Sequence, residues 1–324
     1  MGSPPRGRWP HATPVLKDAH VKIAHLSDLH VLALEDATPA RLMNKRLTGW
    51  LNLKFRRAHE HQAYALNAVA RAIRERTDID HVVVTGDLTN LALESEFNAA
   101  HAYLRDELGL DPTRVSVIPG NHDAYTRGAY ESHRFERTFA DYMSSDLPGA
   151  AAMAENSAFP YVRLRGPVAV IGLTTAVPRP PLVASGEVGA LQLLALHAIL
   201  AHAEVRSRFP VILLHHPWHP PANPLKARLN GLDDREALRS VLESVPRGLL
   251  LHGHLHRRMR RQLGTAEGHF DAIGATSASL IHDDPDRMSG FNVYEIDETG
   301  LVHAEAFRLD ERGSRFEPAA IPSV

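Results

Sequence analysis

In the stretch VIPGNHDAY, Asn121, His122 and Asp123 stand side by side directly after Gly120. Asn offers an amide oxygen, His a ring nitrogen that can bind a metal or move a proton, and Asp a carboxylate. Alone, such a run is a turn signal with solvated polar residues. The same donor types recur elsewhere. SDLH brings Asp28 and His30, TGD brings Asp87, HHP brings His215 and His216, and HGHLH brings His252, His254 and His256. The chain has 21 histidines and no cysteine, so disulfides and thiolate metal sites are excluded. Carboxylate, imidazole and amide oxygen without thiolate suit Mn, Fe, Zn or Co rather than a structural zinc.

The elements that must position these groups read as short apolar runs. VKIAHL (21–26), HVVVTG (81–86), RVSVIPG (114–120), VAVIGL (168–173), VILLHH (211–216) and GLLLHG (248–253) are short strand-like apolar runs, each with a polar or Gly-bearing end. Helix-period stretches lie at roughly 60–76, 94–108, 129–143, 187–204 and 234–245. Strand alternating with helix predicts βαβ units around a largely parallel sheet. FNVYEID and LVHAEAFRL alternate and predict an antiparallel pair joined at Glu298-Thr-Gly. In parallel sheets, ligand sites collect at the carboxyl ends of strands, so the donor motifs converge on one edge. In GHLH, alternate residues of an extended segment point the same way, which lets His254 and His256 face one site. The donors are too many for one ion and suit a pair about 3.5–4 Å apart sharing one carboxylate.

SDLH, TGD, PGNHD, HHP and GHLH, in this order across residues 21–260, resemble the motif set of the calcineurin-like (class III) metallophosphoesterases. The resemblance implies an α/β fold, a four-layer αββα sandwich of two mixed β-sheets flanked by helices. It also implies a dinuclear site in which Asp28, His30 and His256 hold one metal, Asn121, His215 and His254 hold the other, and Asp87 bridges them. The two divalent or trivalent ions would share a hydroxide for in-line attack on phosphorus. His122 is the expected general acid to the leaving oxygen, with Asp123 orienting its imidazole. His216 and His252 are expected around the ligands or against the substrate.

The substrate is written less clearly. RLMNKRLTGWLNLKFRR (41–57) has six basic residues, no acid and seven large apolar ones. On a helical wheel Met43, Leu47, Trp50, Leu51 and Phe55 share a face opposite Arg41, Lys45 and Arg56. That is the pattern of a basic amphipathic helix, either at a membrane surface or lipid ligand or packed as a lid. It makes a phosphodiester or pyrophosphate on a nucleotide-linked lipid, of the UDP-2,3-diacylglucosamine type, one expected substrate. A cyclic nucleotide is the alternative, and a catalytically silent interaction scaffold is the alternative of another class. A net charge of −2 argues against a nucleic-acid partner.

No window of about 18 apolar residues is present, so the expectation is a cytoplasmic protein, peripheral at a membrane if 41–57 touches lipid. The organisation expected is a flexible arm over 1–17, one domain over 18–312 carrying the 41–57 insertion, and a loose tail over 313–324.

Overall fold

The computed structural model describes residues 20–38, 62–147, 157–219 and 223–324. The arm over 1–17 and the amphipathic stretch 41–57 lie outside the described residues.

The apolar runs form the strands expected of them. β1 (Val21–Leu26), β2 (His81–Thr85) and β3 (Val115–Ile118) pair in parallel. β4 (Tyr161–Arg165) precedes β5 (Val168–Gly172), β6 (Phe209–Leu213) and β7 (Arg247–His252). β8 (Met259–Gly264) and β9 (His269–Gly274) follow, then β10 (Gly290–Asp297), β11 (Gly300–Leu309) and β12 (Phe316–Ala319). The strands build two sheets of six, ordered β12-β11-β10-β1-β2-β3 and β4-β5-β6-β7-β9-β8. Both are mixed. β1–β2–β3 and β5–β6–β7–β9 run parallel, whereas β10, β11 and β12 add antiparallel to one sheet and β4 and β8 to the other. Two mixed sheets flanked by helices are what the family resemblance implies, whereas strand–helix alternation alone predicts only a largely parallel sheet.

The two-residue period of a strand explains how the second sheet serves two cores. Val168, Val170, Val211, Leu213, Leu249 and Leu251 join the cluster built on the first sheet. Their neighbours Ala169, Ile171, Ile212, Leu214 and Leu250 turn the other way, onto Leu193, Leu196 and Ile199 of helix Ala190–Ala201 and Leu238 and Leu242 of helix Arg235–Leu242. Both faces are covered, so these strands carry unbroken apolar runs rather than alternation.

The end of the chain differs from the loose tail expected. β12 pairs with β11, and beyond it the backbone of Arg260 bonds to Pro322 and Val324. Polar side chains there hid backbone groups that complete a sheet edge. β4 was also illegible, because Arg163 sits inside it. Arg163 is buried, and its guanidinium donates to the carbonyls of Pro112, Val115, Asp141 and Ser144.

Candidate metal centre

The loops after β1, β2, β3, β6 and β7 deliver their donors to one place, and the backbone is bent to do so. Asp28, His30, Asp87, His254 and His256 all have positive φ, between 47° and 68°. That region costs a non-glycine residue about 1–3 kcal/mol and gathers at functional sites. His254 and His256 therefore do not lie on an extended segment as expected, and their side chains part toward two different groups of donors.

In the first group, Nε2 of His256 lies 3.1 Å from Oδ1 of Asp28 and 3.2 Å from Nε2 of His30. Nε2 of His30 is 4.0 Å from both Asp28 Oδ1 and Asp87 Oδ2. In the second, Oδ1 of Asn121 lies 3.1 Å from Nε2 of His215 and 2.9 Å from Nδ1 of His254. Asp87 stands between them. Its Oδ1 accepts the His122 backbone N–H at 2.7 Å, while its Oδ2 is 3.3 Å from His215 Nε2 and 4.0 Å from His30 Nε2. All seven expected ligands are thus brought together.

Close approach of the loops depends on glycine. A Cβ on Gly120 would run into the carboxylate and backbone of Asp87, and one on Gly253 into Ser27 and Asp28. Gly120 does not have a positive φ, so its use is this contact rather than the tight turn its place in the sequence suggests.

The donor set fits a cation. Asp28 is fully buried, and its Oδ2 accepts the His254 N–H at 3.1 Å, while no hydrogen bond of ordinary geometry reaches its Oδ1. A buried carboxylate oxygen of this kind is expensive without a positive partner. Burial alone would raise the Asp87 carboxyl; the imidazoles of His215, His122 and His30 outweigh it and hold Asp87 well below the usual carboxylate range. The donors are oxygen and imidazole nitrogen throughout, which suits Mn, Fe, Zn or Co.

Partners behind the site fix the rings. His215 donates Nδ1–H to the Thr85 carbonyl at 2.7 Å, which turns its Nε2 toward Asp87 and Asn121. His216 lies with His215 and His254 in a group of donor atoms close enough for one ion. Its ring nitrogens are taken, however. Nε2–H donates to the Ala184 carbonyl at 3.0 Å, and Nδ1 accepts from the Thr175 hydroxyl at 2.8 Å. His216 therefore braces His254, whose ring centroid is 4.5 Å away, rather than offering a free nitrogen. His252 is buried against His219, with ring centroids 5.3 Å apart.

The expected pairing of Asp123 with His122 is not what the hydrogen bonds show. Asp123 is buried, with Oδ2 accepting from the backbone of Leu88 and Gly120 and Oδ1 from the backbone and hydroxyl of Thr89. Burial, and then the charge of Asp87, push its carboxyl up to about 7. His122, half-buried at the rim, instead donates Nδ1–H to the Asn90 carbonyl at 2.6 Å. Asn90 also donates from Nδ2 to the carbonyls of His30 and Val31, both at 3.0 Å. Asn90 and Thr89 are the functional residues that sequence reasoning missed. Their signal was a polar pair directly after TGD-Leu.

The profile of the calcineurin-like phosphoesterases matches residues 21–258, from β1 to just past the last donor loop. No curated protein sequence matches the chain. Among solved structures, a dimetal phosphatase from Danio rerio superposes with a TM-score of 0.55 at 16% identity, over 88% of this chain and 98% of that one. A purple acid phosphatase from yellow lupin (Lupinus luteus) seeds gives a TM-score of 0.56 at 12% identity, over 93% of this chain and 56% of the lupin chain. At such identities the likeness is one of fold. The profile match covers all five donor-bearing loops, and on it the chain belongs to the calcineurin-like phosphoesterases, as a metal-dependent phosphoric ester hydrolase.

Proposed function

We propose that the chain is a dinuclear phosphodiesterase or pyrophosphatase. Asp28, His30 and His256 would hold one ion, Asn121, His215 and His254 the other, and Asp87 both. The observation that carries this reading is the position of Asp87 Oδ2, within 4.0 Å of a donor nitrogen from each group. When bound, the ions would supply Lewis acidity toward phosphoryl oxygens and lower the pKa of water between them.

The chain's own residues supply the rest. With Nδ1–H donated to the Asn90 carbonyl, the ring of His122 is held at a fixed angle, and in this reading a proton on Nε2 passes to the leaving oxygen. Asp123 holds the loops after β2 and β3 together, so the Asp87 carboxylate and the His122 ring keep a fixed spacing.

The bond we propose is a phosphodiester or pyrophosphate on a nucleotide-linked lipid of the UDP-2,3-diacylglucosamine type. The six basic and seven large apolar residues of 41–57 support the lipid end. The test begins with bis-p-nitrophenyl phosphate and manganese, where turnover abolished by chelator is expected; no hydrolysis with any divalent metal would favour a silent scaffold. A panel of UDP-linked lipids and cyclic nucleotides follows, on the full chain and on a 41–57 deletion. Faster turnover of the lipid-linked substrate, lost on deletion, is expected. Preference for cyclic nucleotides by both proteins would overturn the lipid reading. Among the described residues no helix is long and apolar enough to cross a membrane.

A further inference from the structure

Tyr125 faces two ways. Its ring lies parallel to that of His122, with centroids 5.4 Å apart and an interplanar angle of 12°. It also lines a cleft of about 490 Å³ whose other walls include Pro178, Pro180, Pro181, Arg179 and Gly128. Among the described residues no Leu, Ile, Val, Phe or Met lines this cleft, so an acyl chain would find little aliphatic surface on them. The surfaces on offer are flat and stiff. Proline rings lose no side-chain entropy on contact.

Arg179 is fixed in place and its charge is met. Its Nε donates to the Ser185 carbonyl at 3.2 Å, and its Nη2 to Asp233 at 2.6 Å and Glu187 at 3.3 Å. A guanidinium that is oriented and neutralised in this way is a poor phosphate ligand, and a planar group of this kind can stack on a flat heterocycle.

We propose that this cleft receives a nucleobase. A planar heterocycle would stack against the proline rings and the Arg179 guanidinium, while the phosphate to which its sugar is joined reaches the donors past His122. The inference rests on the phosphoesterase reading of the site and adds a place in the fold for the nucleoside half of the proposed substrate. A carbohydrate head group, which has no π face, is the competing occupant, and the test separates the two.

Binding is measured by calorimetry on the manganese-loaded full chain, with UMP, AMP and ribose 5-phosphate as probes. The nucleotides are expected to bind about tenfold or more tighter than ribose 5-phosphate, the share that base stacking supplies. Two variants then address the cleft. A Cβ on Gly128 meets nothing within 4 Å, so Gly128→Leu places a side chain in open space, and Pro181→Gly removes part of the wall. Both should erase the nucleotide advantage and leave ribose 5-phosphate binding and the hydrolysis of methyl p-nitrophenyl phosphate unchanged. Equal binding of all three probes by the wild type, or an advantage that survives both variants, would overturn the assignment while continued hydrolysis leaves the phosphoesterase reading standing. Tight nucleotide binding without hydrolysis of any ester would instead overturn the phosphoesterase reading and leave the cleft in place.

Discussion

Nδ1 of His122 and the carbonyl oxygen of Asn90 lie 2.6 Å apart, and the Asn90 side chain in turn holds the carbonyls of His30 and Val31. One residue thus ties the ring proposed to move a proton to the loop that carries the first donors. A backbone carbonyl fixes the His122 tautomer without adding a charge beside it.

If His122 protonates the leaving oxygen, its removal should matter most where that oxygen is a poor leaving group. His122→Ala is expected to slow hydrolysis of an alkyl diester by about 10²-fold or more, and that of a p-nitrophenyl diester far less. Asn90→Ala should show the same dependence in weaker form. Rates over a series of leaving groups check both, alongside metal content, which should not change in His122→Ala. An equal loss across the series would assign His122 to binding instead.

Asp123 acts on the backbone, so its loss should be felt as stability. Asp123→Ala leaves the buried N–H groups of Leu88, Thr89 and Gly120 without their acceptor, and each such group costs about 1–3 kcal/mol. Urea unfolding should show a loss of roughly 3 kcal/mol or more. A variant with wild-type stability but no turnover would return Asp123 to the chemistry.

The backbone strain at the donors predicts a gain on relief. His256 has φ of 48°, where only glycine rests without cost. In metal-free protein, His256→Gly should be more stable than His256→Ala by about 1 kcal/mol, read from thermal or urea unfolding. The same pair compared at Val69, in the middle of helix Ala63–Glu75, should rank the other way.

Acid should destabilise the protein through His81, which lies at the start of β2 away from the donors. Burial, and then Arg165, Arg163 and Arg114, hold its imidazole well below the ordinary value of 6.5. The folded state keeps this ring neutral while the unfolded chain takes up a proton below about pH 6.5. Stability should therefore fall with pH from that point down to the depressed folded value, by up to about 1.4 kcal/mol per pH unit from this residue. Urea unfolding of wild type and His81→Gln between pH 7.5 and 5 checks this, with the shallower slope expected in the variant.

Much of the site could be read because its donors follow apolar strands, and the ends of parallel strands lead to the carboxyl edge of each of the two sheets. Asp28, His30, Asp87, Asn121, His215, His254 and His256 came to hand in that way among the candidates, and the family resemblance marked these seven as the ligands. What escaped the sequence is held by the backbone. The Asn90 carbonyl that orients His122 has no residue signature, and the separation of Asp123 from His122 follows from the turn after Gly120, where neighbouring side chains diverge. The strands β4 and β12 escaped for a related reason. Arg163 is tolerated in a strand only because carbonyls from other elements surround it, and the tail gains order only by completing an edge.

Asp87 is proposed to join two ions in one centre. Anomalous scattering from crystals of manganese-loaded protein tests it most directly. Two peaks about 3.5–4 Å apart are expected, one beside Asp28, His30 and His256 and the other beside Asn121, His215 and His254, with the Asp87 carboxylate between them. A single peak, or two peaks that Asp87 does not touch, would contradict it.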